Sequence, residues 1–208
     1  RTSMHKIAFY LSDYGFGHLT RNMEILKMLD ASNIFETIFV RMGKKQYQMA
    51  LRFFNACSHI CCIADTMIDL NLYLTVDGNA LDIERTERNL NSFLNVLEIR
   101  INREKAFLER NNVELVVSDV VCWAIESAAQ LKIQSILLSH FTWYEVYAEY
   151  FSKNLLTPIC EMYRHACYYG VYSLASEAFY KTLFATPDDC ERAVGQNKLK
   201  HFCLVGRE

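Results

Sequence analysis

Ile7-Ala-Phe-Tyr-Leu-Ser-Asp-Tyr-Gly-Phe-Gly-His-Leu-Thr-Arg21 is the stretch whose reading decides the fold. Its apolar run, Ile7 to Leu11, reads as a buried strand. The run breaks at Asp13-Tyr14-Gly15-Phe16-Gly17, and a helical spacing follows at Met23, Leu26 and Leu29. Strand, glycine-rich turn and helix form the opening unit of a nucleotide-binding type of α/β domain. Here the turn ends in a histidine instead of a third glycine. Gly15 and Gly17 permit backbone angles or close approach that a Cβ would block. On this reading His18 is exposed at the mouth of a crevice beside a helix N-terminus, a candidate general base. The plainer alternative is a tight turn with an incidental histidine.

Outward from that unit, five short apolar runs alternate with helical patterns. Strands are expected at 6–12, 35–41, 58–64, 113–118 and 133–139, and helices near 19–30, 44–55, 84–110 and 121–132. Thr37–Val40, Val113–Val117 and Ile133–Leu138 carry the β-branched enrichment of a parallel sheet. The long helix sets Leu90, Phe93, Leu94, Leu97, Ile101 and Leu108 on one face and a solvated Glu/Arg face opposite. The alternation implies a doubly wound, Rossmann-like α/β sheet in the order 3-2-1-4-5 with helices on both faces. Segment 65–82 reads as a loop or irregular piece beside the sheet edge. From 140 onward, aromatics such as Phe141, Trp143, Tyr147, Tyr163, Tyr172 and Phe179 read mainly as core, with some left to line an apolar groove. Pro187-Asp-Asp starts a further turn or cap, and Lys200–Val205 is expected to be a last strand.

Composition bounds the function. The chain has 208 residues, 51% apolar and 22% charged, with a net charge of −2, which suits one soluble domain with a real core. That charge gives no bulk electrostatic case for nucleic acid or an anionic membrane. No apolar run approaches the ~20 residues of a membrane-spanning helix, and no leader pattern is visible, so a cytoplasmic location is expected. Arg1-Thr2-Ser3 reads as a cloning remnant before a native start at Met4. The eight cysteines include no CxxC pair and are expected to be free thiols. Cys57, His59 and Cys61 alternate, and two readings apply: part of a soft-metal site, or small soft residues in a buried strand. The buried strand is the simpler, and no metal is assigned.

Topology joins two distant residues. His18 follows strand 1 and Asp119 ends strand 4. These strands are neighbours at the point where the order reverses, and ligands bind in that crevice. A carboxylate bonded to one imidazole nitrogen fixes the tautomer and leaves the other nitrogen to take a proton from a hydroxyl. Asp119 also reads as the N-cap of the next helix, a role worth about 1 kcal/mol. Arg21 opposes the helix dipole by about 0.3–1 kcal/mol, a cost that pairing with Glu24 or Asp13, or an anionic ligand, would offset.

The same residues carry a resemblance. Ser12-Asp-Tyr-Gly-Phe-Gly-His-Leu-Thr-Arg21 resembles the GFGHxTR signature of two-domain glycosyltransferases of the GT-B type. It is most similar to the glycosyltransferase-like segment that opens plant arabinokinases. Leu115–Val121 and Ser139–Tyr150 fit as second and third blocks, and Leu74–Gly78 is weakly similar. The resemblance spans residues 6–150 and fades beyond. It implies an acceptor-deprotonating role for His18 with Asp119 as its carboxylate partner, and loop glycines at Gly15 and Gly17. Phe16, Arg21, His140 and Trp143 join those glycines as candidate substrate-binding residues.

The resemblance also implies no bound metal or cofactor. It assigns the sugar nucleotide mainly to a C-terminal donor domain outside this chain. Residues 4–208 are then one acceptor-side domain, inactive alone, with an unidentified acceptor. The function it implies is half of an inverting, sugar-nucleotide-dependent glycosyltransferase. Two alternatives stand beside it: a non-catalytic sugar- or nucleotide-binding module regulating a fused kinase, and half of a GT-B-fold sugar-nucleotide epimerase.

Overall fold

The computed structural model describes residues 5–65, 68–173 and 175–202. The proposed start at Met4 and the final residues of the Lys200–Val205 strand lie outside them. In chain order the elements are β1 (His5–Leu11), α1 (Gly17–Ala31), β2 (Phe35–Gly43), α2 (Lys44–Phe53), β3 (Ile60–Asp65), α3 (Ile83–Arg110), β4 (Leu115–Asp119) and α4 (Cys122–Gln130). There follow β5 (Gln134–Ser139), α5 (Trp143–Tyr147), α6 (Lys153–Arg164), β6 (Tyr168–Tyr172), α7 (Glu177–Leu183), α8 (Pro187–Gly195) and β7 (Leu199–Phe202). All strands are parallel, in the order β3-β2-β1-β4-β5-β6-β7. The expected 3-2-1-4-5 core is therefore present, extended on one side by β6 and β7.

Because β1 is covered on both faces, nearly every residue in it is apolar. Ala8 and Tyr10 face a core shared with α3, α4, α6 and α7. Ile7, Phe9 and Leu11 face the second core, with Leu19 and Leu26 of α1 and Ile38 and Val40 of β2. Helices α1, α3, α4 and α8 are each followed within two residues by a left-handed residue: Asn33, Asn112, Lys132 and Asn197. This is the usual way to turn a helix end back toward a strand. No helix among the described residues is long and apolar enough to cross a membrane.

Three local expectations need correction. Strand β3 is an edge strand and only half buried, so Cys61 is exposed and Cys57 precedes the strand instead of sharing its face. Among the described residues no group of three or more His, Cys, Asp or Glu side chains is placed to hold a metal. Segment 65–82 is irregular, but it is not peripheral: Ile68, Asp69 and Leu70 are buried. Trp123 Nε1 donates to Ile68 O at 2.5 Å, tying the segment to α4. The polar face of α3 is not wholly solvated either. Glu104 is buried, accepting from Tyr10 Oη at 2.5 Å and from Arg41 Nη2 at 2.7 Å. A period of 3.6 cannot distinguish a buried carboxylate with two partners from a solvated one.

Two glycines separate geometric need from open space. A Cβ on Gly43 would overlap Asp13 Cβ, a main-chain-anchored atom that cannot swing away, whereas Gly17 has nothing within 4 Å. Gly43→Ala is expected to cost about 1–3 kcal/mol of folding free energy, and Gly17→Ala less than about 0.5 kcal/mol. Denaturant unfolding of the two variants checks this; equal losses would contradict the packing of β2 against the Asp13 turn.

Candidate functional site

The site lies at the carboxyl ends of β1 and β4, where Leu11 and Asp119 are paired residues of adjacent strands. Gly15 has φ +75°, the left-handed value a type-specific turn requires. Gly17 has no such need; it opens α1 beside free space. The turn is held from β2–α2: Gln46 Nε2 donates to Ser12 O at 2.7 Å and to Gly15 O at 2.8 Å. Gln46 in turn accepts from Gly43 N. Helix α1 starts with no side-chain cap and no acidic residue in its first turn.

Asp119 is fully buried, and its surroundings supply only donors. Arg21 Nη2 donates to Oδ1. Asn22 Nδ2 donates to Oδ2 at 2.6 Å, and His18 Nδ1 lies 3.1 Å from Oδ1. Burial alone would raise the carboxyl's pKa. The hydrogen bond and charge of His18, together with the Arg21 guanidinium, outweigh it and hold the group below its ordinary value. The cap role fails: the N-cap of α4 is Val121, and no side chain caps the helix's first amides there. Strand alternation puts the carboxylate on the α1 side, the face that Val117 two residues earlier also occupies, and the next residue, Val120, has φ +65°. A β-branched residue there carries strain of about 1–3 kcal/mol. Tyr163 Oη donates to Val120 O at 2.6 Å and Ser118 Oγ to Val121 O at 2.7 Å, fixing the turn from both sides.

His18 is buried, 7% exposed, and not open at the crevice mouth as expected. Phe141 packs against its ring, 5.9 Å between centroids. Arg21 pairs with neither Glu24 nor Asp13. Its guanidinium lies over the Tyr172 ring at 4.6 Å, contacts Asp119 and donates Nη1 to His140 Nδ1 at 2.9 Å. Burial first, then the Arg21 charge, holds the His140 imidazole below its ordinary pKa, with His18 adding to this and Asp119 opposing it. Thus His18, Asp119, Arg21 and His140 come together, while Gly15, Phe16 and Gly17 lie exposed on the adjoining turn.

Trp143 does not join them. It is 1% exposed, and its Nε1 donates to Asp69 Oδ2 at 2.6 Å, so it is a core anchor in this structure. It supports the site indirectly, with its ring edge against Tyr14 and Phe141. Sequence reasoning missed Asn22, Gln46 and Asp69. Asn22 had a legible signal, since a polar residue four after His18 sits in the stripe otherwise formed by Leu19, Met23 and Leu26. An apolar cavity between α7 and α8, lined by Tyr180, Phe184 and Pro187 among others, shares no residue with this cluster.

Known proteins share this architecture. A structure of LpCGTa in complex with UDP matches 99% of the chain and 55% of its own length, at TM-score 0.59 and 12% identity. Arabidopsis thaliana UGT89C1 complexed with UDP-L-rhamnose matches 100% of the chain and 54% of its own length, at TM-score 0.56 and 11% identity. Glycyrrhiza uralensis UGT73P12, complexed with glycyrrhetinic acid 3-O-monoglucuronide, matches 97% and 49%, at TM-score 0.54 and 13% identity. In fold, the chain is a Rossmann-like α/β domain that matches these structures. L-arabinokinase of Arabidopsis thaliana is 26% identical over 175 residues, which are 79% of this chain and 16% of the arabinokinase. No protein-family model matches. The chain thus spans about half the length of its structural neighbours and a sixth of its curated relative. The likeness in fold does not fade at residue 150: it runs through β6 and β7, where aromatic density hid a strand.

One carboxyl of the domain faces the wrong solvent. Glu145, in the first turn of α5, has its pKa raised to about 7, chiefly by burial and further by Glu149, against a backbone bond from Thr142. Its Oε2 is buried without a hydrogen-bond partner. A raised carboxyl pKa means the folded state holds the proton more tightly, so stability falls as pH rises from 4.5 through about 7 and levels off above. Glu145→Gln is expected to match the parent in thermal midpoint at pH 5 and to exceed it at pH 8. Parallel melting curves at both pH values would contradict the burial of this carboxylate.

Proposed function

We propose that residues 4–208 are the acceptor-side domain of an inverting, sugar-nucleotide-dependent glycosyltransferase, with donor binding contributed mainly by a second domain outside this chain. The observation that carries the reading is the 3.1 Å approach of His18 Nδ1 to the buried Asp119 carboxylate at the β1–β4 switch point. With its Nδ1 proton directed at Asp119, His18 has Nε2 free to accept a proton from an acceptor hydroxyl. The alkoxide-like oxygen then attacks the anomeric carbon. The C–O bond to the donor phosphate breaks in line, the nucleoside diphosphate leaves with that electron pair, and Asp119 stabilises the imidazolium. The structural neighbours carrying UDP or UDP-L-rhamnose support a nucleotide-sugar partner. The proposal includes a cytoplasmic location and no metal or cofactor.

A second reading has its own support. The curated relative is an L-arabinokinase, of which the matched region is 16%, so a sugar- or nucleotide-binding module that regulates a fused kinase fits the same fold. The two readings separate on His18. In the whole protein, His18→Ala is expected to lower sugar transfer about 10²–10⁴-fold, and to lower stability too because the buried ring packs on Phe141 beside Asp119. Asp119→Asn is expected to lower transfer as well and also to destabilise, because it strips the buried Arg21 of its ion partner. Wild-type transfer rates in both variants at saturating donor and acceptor would remove the dyad from the chemistry and favour the binding module.

A further inference from the structure

Asn22 is fully buried one helical turn after His18, and its amide is held from three sides. Nδ2 donates to His18 O at 2.8 Å and to Asp119 Oδ2 at 2.6 Å, and Oδ1 accepts from Tyr172 Oη at 3.3 Å. Those partners settle which end of the amide is which. Turned over, its oxygen would face a carbonyl and a carboxylate, three acceptors with no hydrogen between them. The phenol hydroxyl therefore gives its hydrogen to Asn22, and Asn22 gives one to Asp119. The other carboxylate oxygen has different neighbours. Oδ1 accepts from Arg21 Nη2 and lies 3.1 Å from His18 Nδ1, and the same Nη2 reaches that ring nitrogen at 3.1 Å. Arg21 holds the carboxylate through this nitrogen, while its Nη1 reaches His140. A bidentate guanidinium would fix the plane of a carboxylate. A single contact leaves the group free to turn about Cβ–Cγ, a torsion with a broad minimum. Asn22 removes that freedom from the opposite oxygen.

We propose that Asn22 is a positioning residue for sugar transfer: its amide, braced by Tyr172, fixes the plane of the Asp119 carboxylate so that Oδ1 stays in the corner formed by Arg21 and His18 when the ring takes up the acceptor's proton. The corner requires no particular tautomer at rest. A protonated ring carries a hydrogen on both nitrogens, and Oδ1 is the oxygen beside Nδ1. Tyr172 braces both partners of Asp119. Its ring lies under the Arg21 guanidinium at 4.6 Å and its hydroxyl meets Asn22. One side chain at the end of β6 thus sets two groups of α1 against the end of β4. The fixed carboxylate stands on contacts alone; its use in transfer rests on the transferase reading.

Tyr172→Phe separates the two contacts, because it keeps the ring under Arg21 and removes the hydroxyl from Asn22. In the whole protein, Asn22→Leu is expected to lower kcat about 10- to 100-fold, the usual strength of a hydrogen bond to a charged group. Tyr172→Phe is expected to lower it about 2- to 10-fold, the strength of a neutral one. The KM values for donor and acceptor are expected to stay unchanged in both. The double variant is expected to match Asn22→Leu, because the hydroxyl acts through the amide. Parent kcat in folded Asn22→Leu, or a loss in KM instead of kcat, would overturn the proposal. Two readouts on the 208-residue chain need no turnover. In the parent, ¹⁵N NMR is expected to resolve two Asn22 Nδ2 protons that exchange slowly with solvent; a freely exchanging pair would overturn the proposal even if no variant folds. In a crystal structure of Asn22→Leu the carboxylate is expected to turn about Cβ–Cγ and lose its 3.1 Å approach to His18 Nδ1, and an unturned carboxylate would overturn the proposal as well. A whole protein lacking sugar transfer would sink the transferase reading alone, with the fixed carboxylate still decided by these two readouts.

Discussion

A single buried negative charge organises this domain. Asp119 sits at the end of β4 with no exposure to water, and an isolated carboxylate there would be prohibitively costly. Every element of the site answers that cost. Helix α1 supplies His18, Arg21 and Asn22 from one face, spaced three and four residues apart so that all three reach the same group. The turn before α1 is set by Gly15 and pinned by Gln46, which fixes where the helix begins. The adjoining β5–α5 segment brings His140 to the far side of Arg21, and β6 brings Tyr172 beneath its guanidinium, with Tyr172 Oη donating to Asn22 Oδ1 at 3.3 Å. Remove the charge and the reason for this convergence disappears.

The architecture was readable because its signals are local and redundant. Ile7–Leu11 can be little other than a doubly covered strand, and the Leu90–Leu108 stripe can be little other than a helix. Parallel topology then follows from their alternation. The pairing of His18 with Asp119 was also accessible, since a switch point between neighbouring strands converts two sequence positions into one place. What could not be read is who else would be there. Arg21 finds its partners at the end of β4 and just after β5, about a hundred residues away, and nothing in its own neighbourhood distinguishes Asp119 from Asp13 or Glu24. Trp143 belongs to a block that resembles a cleft-lining motif, yet its indole is turned to Asp69, a residue in a segment whose sequence carries no periodicity at all. Strand β6 was hidden because Tyr168, Tyr169 and Tyr172 satisfy a core as readily as a strand.

The fold likeness and the site likeness differ in reach. The chain matches UGT73P12, LpCGTa and UGT89C1 over nearly its whole length at identities of 11–13%, which is agreement in architecture. An Arg–Asp–His cluster crossed by a second histidine is a property of particular side chains. The guanidinium changes what the dyad is: the carboxylate that His18 approaches is already paired with Arg21.

The left-handed Val120 opposes two kinds of optimisation at one position. Its backbone turns the chain from the Asp119 end of β4 into α4, and it is held against its preference by Tyr163 and Ser118. Any change that lets this peptide relax improves the fold locally while shifting the end of β4 that carries Asp119. Selection for heat resistance alone would therefore push against this residue, and selection for the site would hold it in place. A lineage that retains the sheet but has abandoned the chemistry should be recognisable by an unstrained turn at this point, before any of the four polar residues is lost.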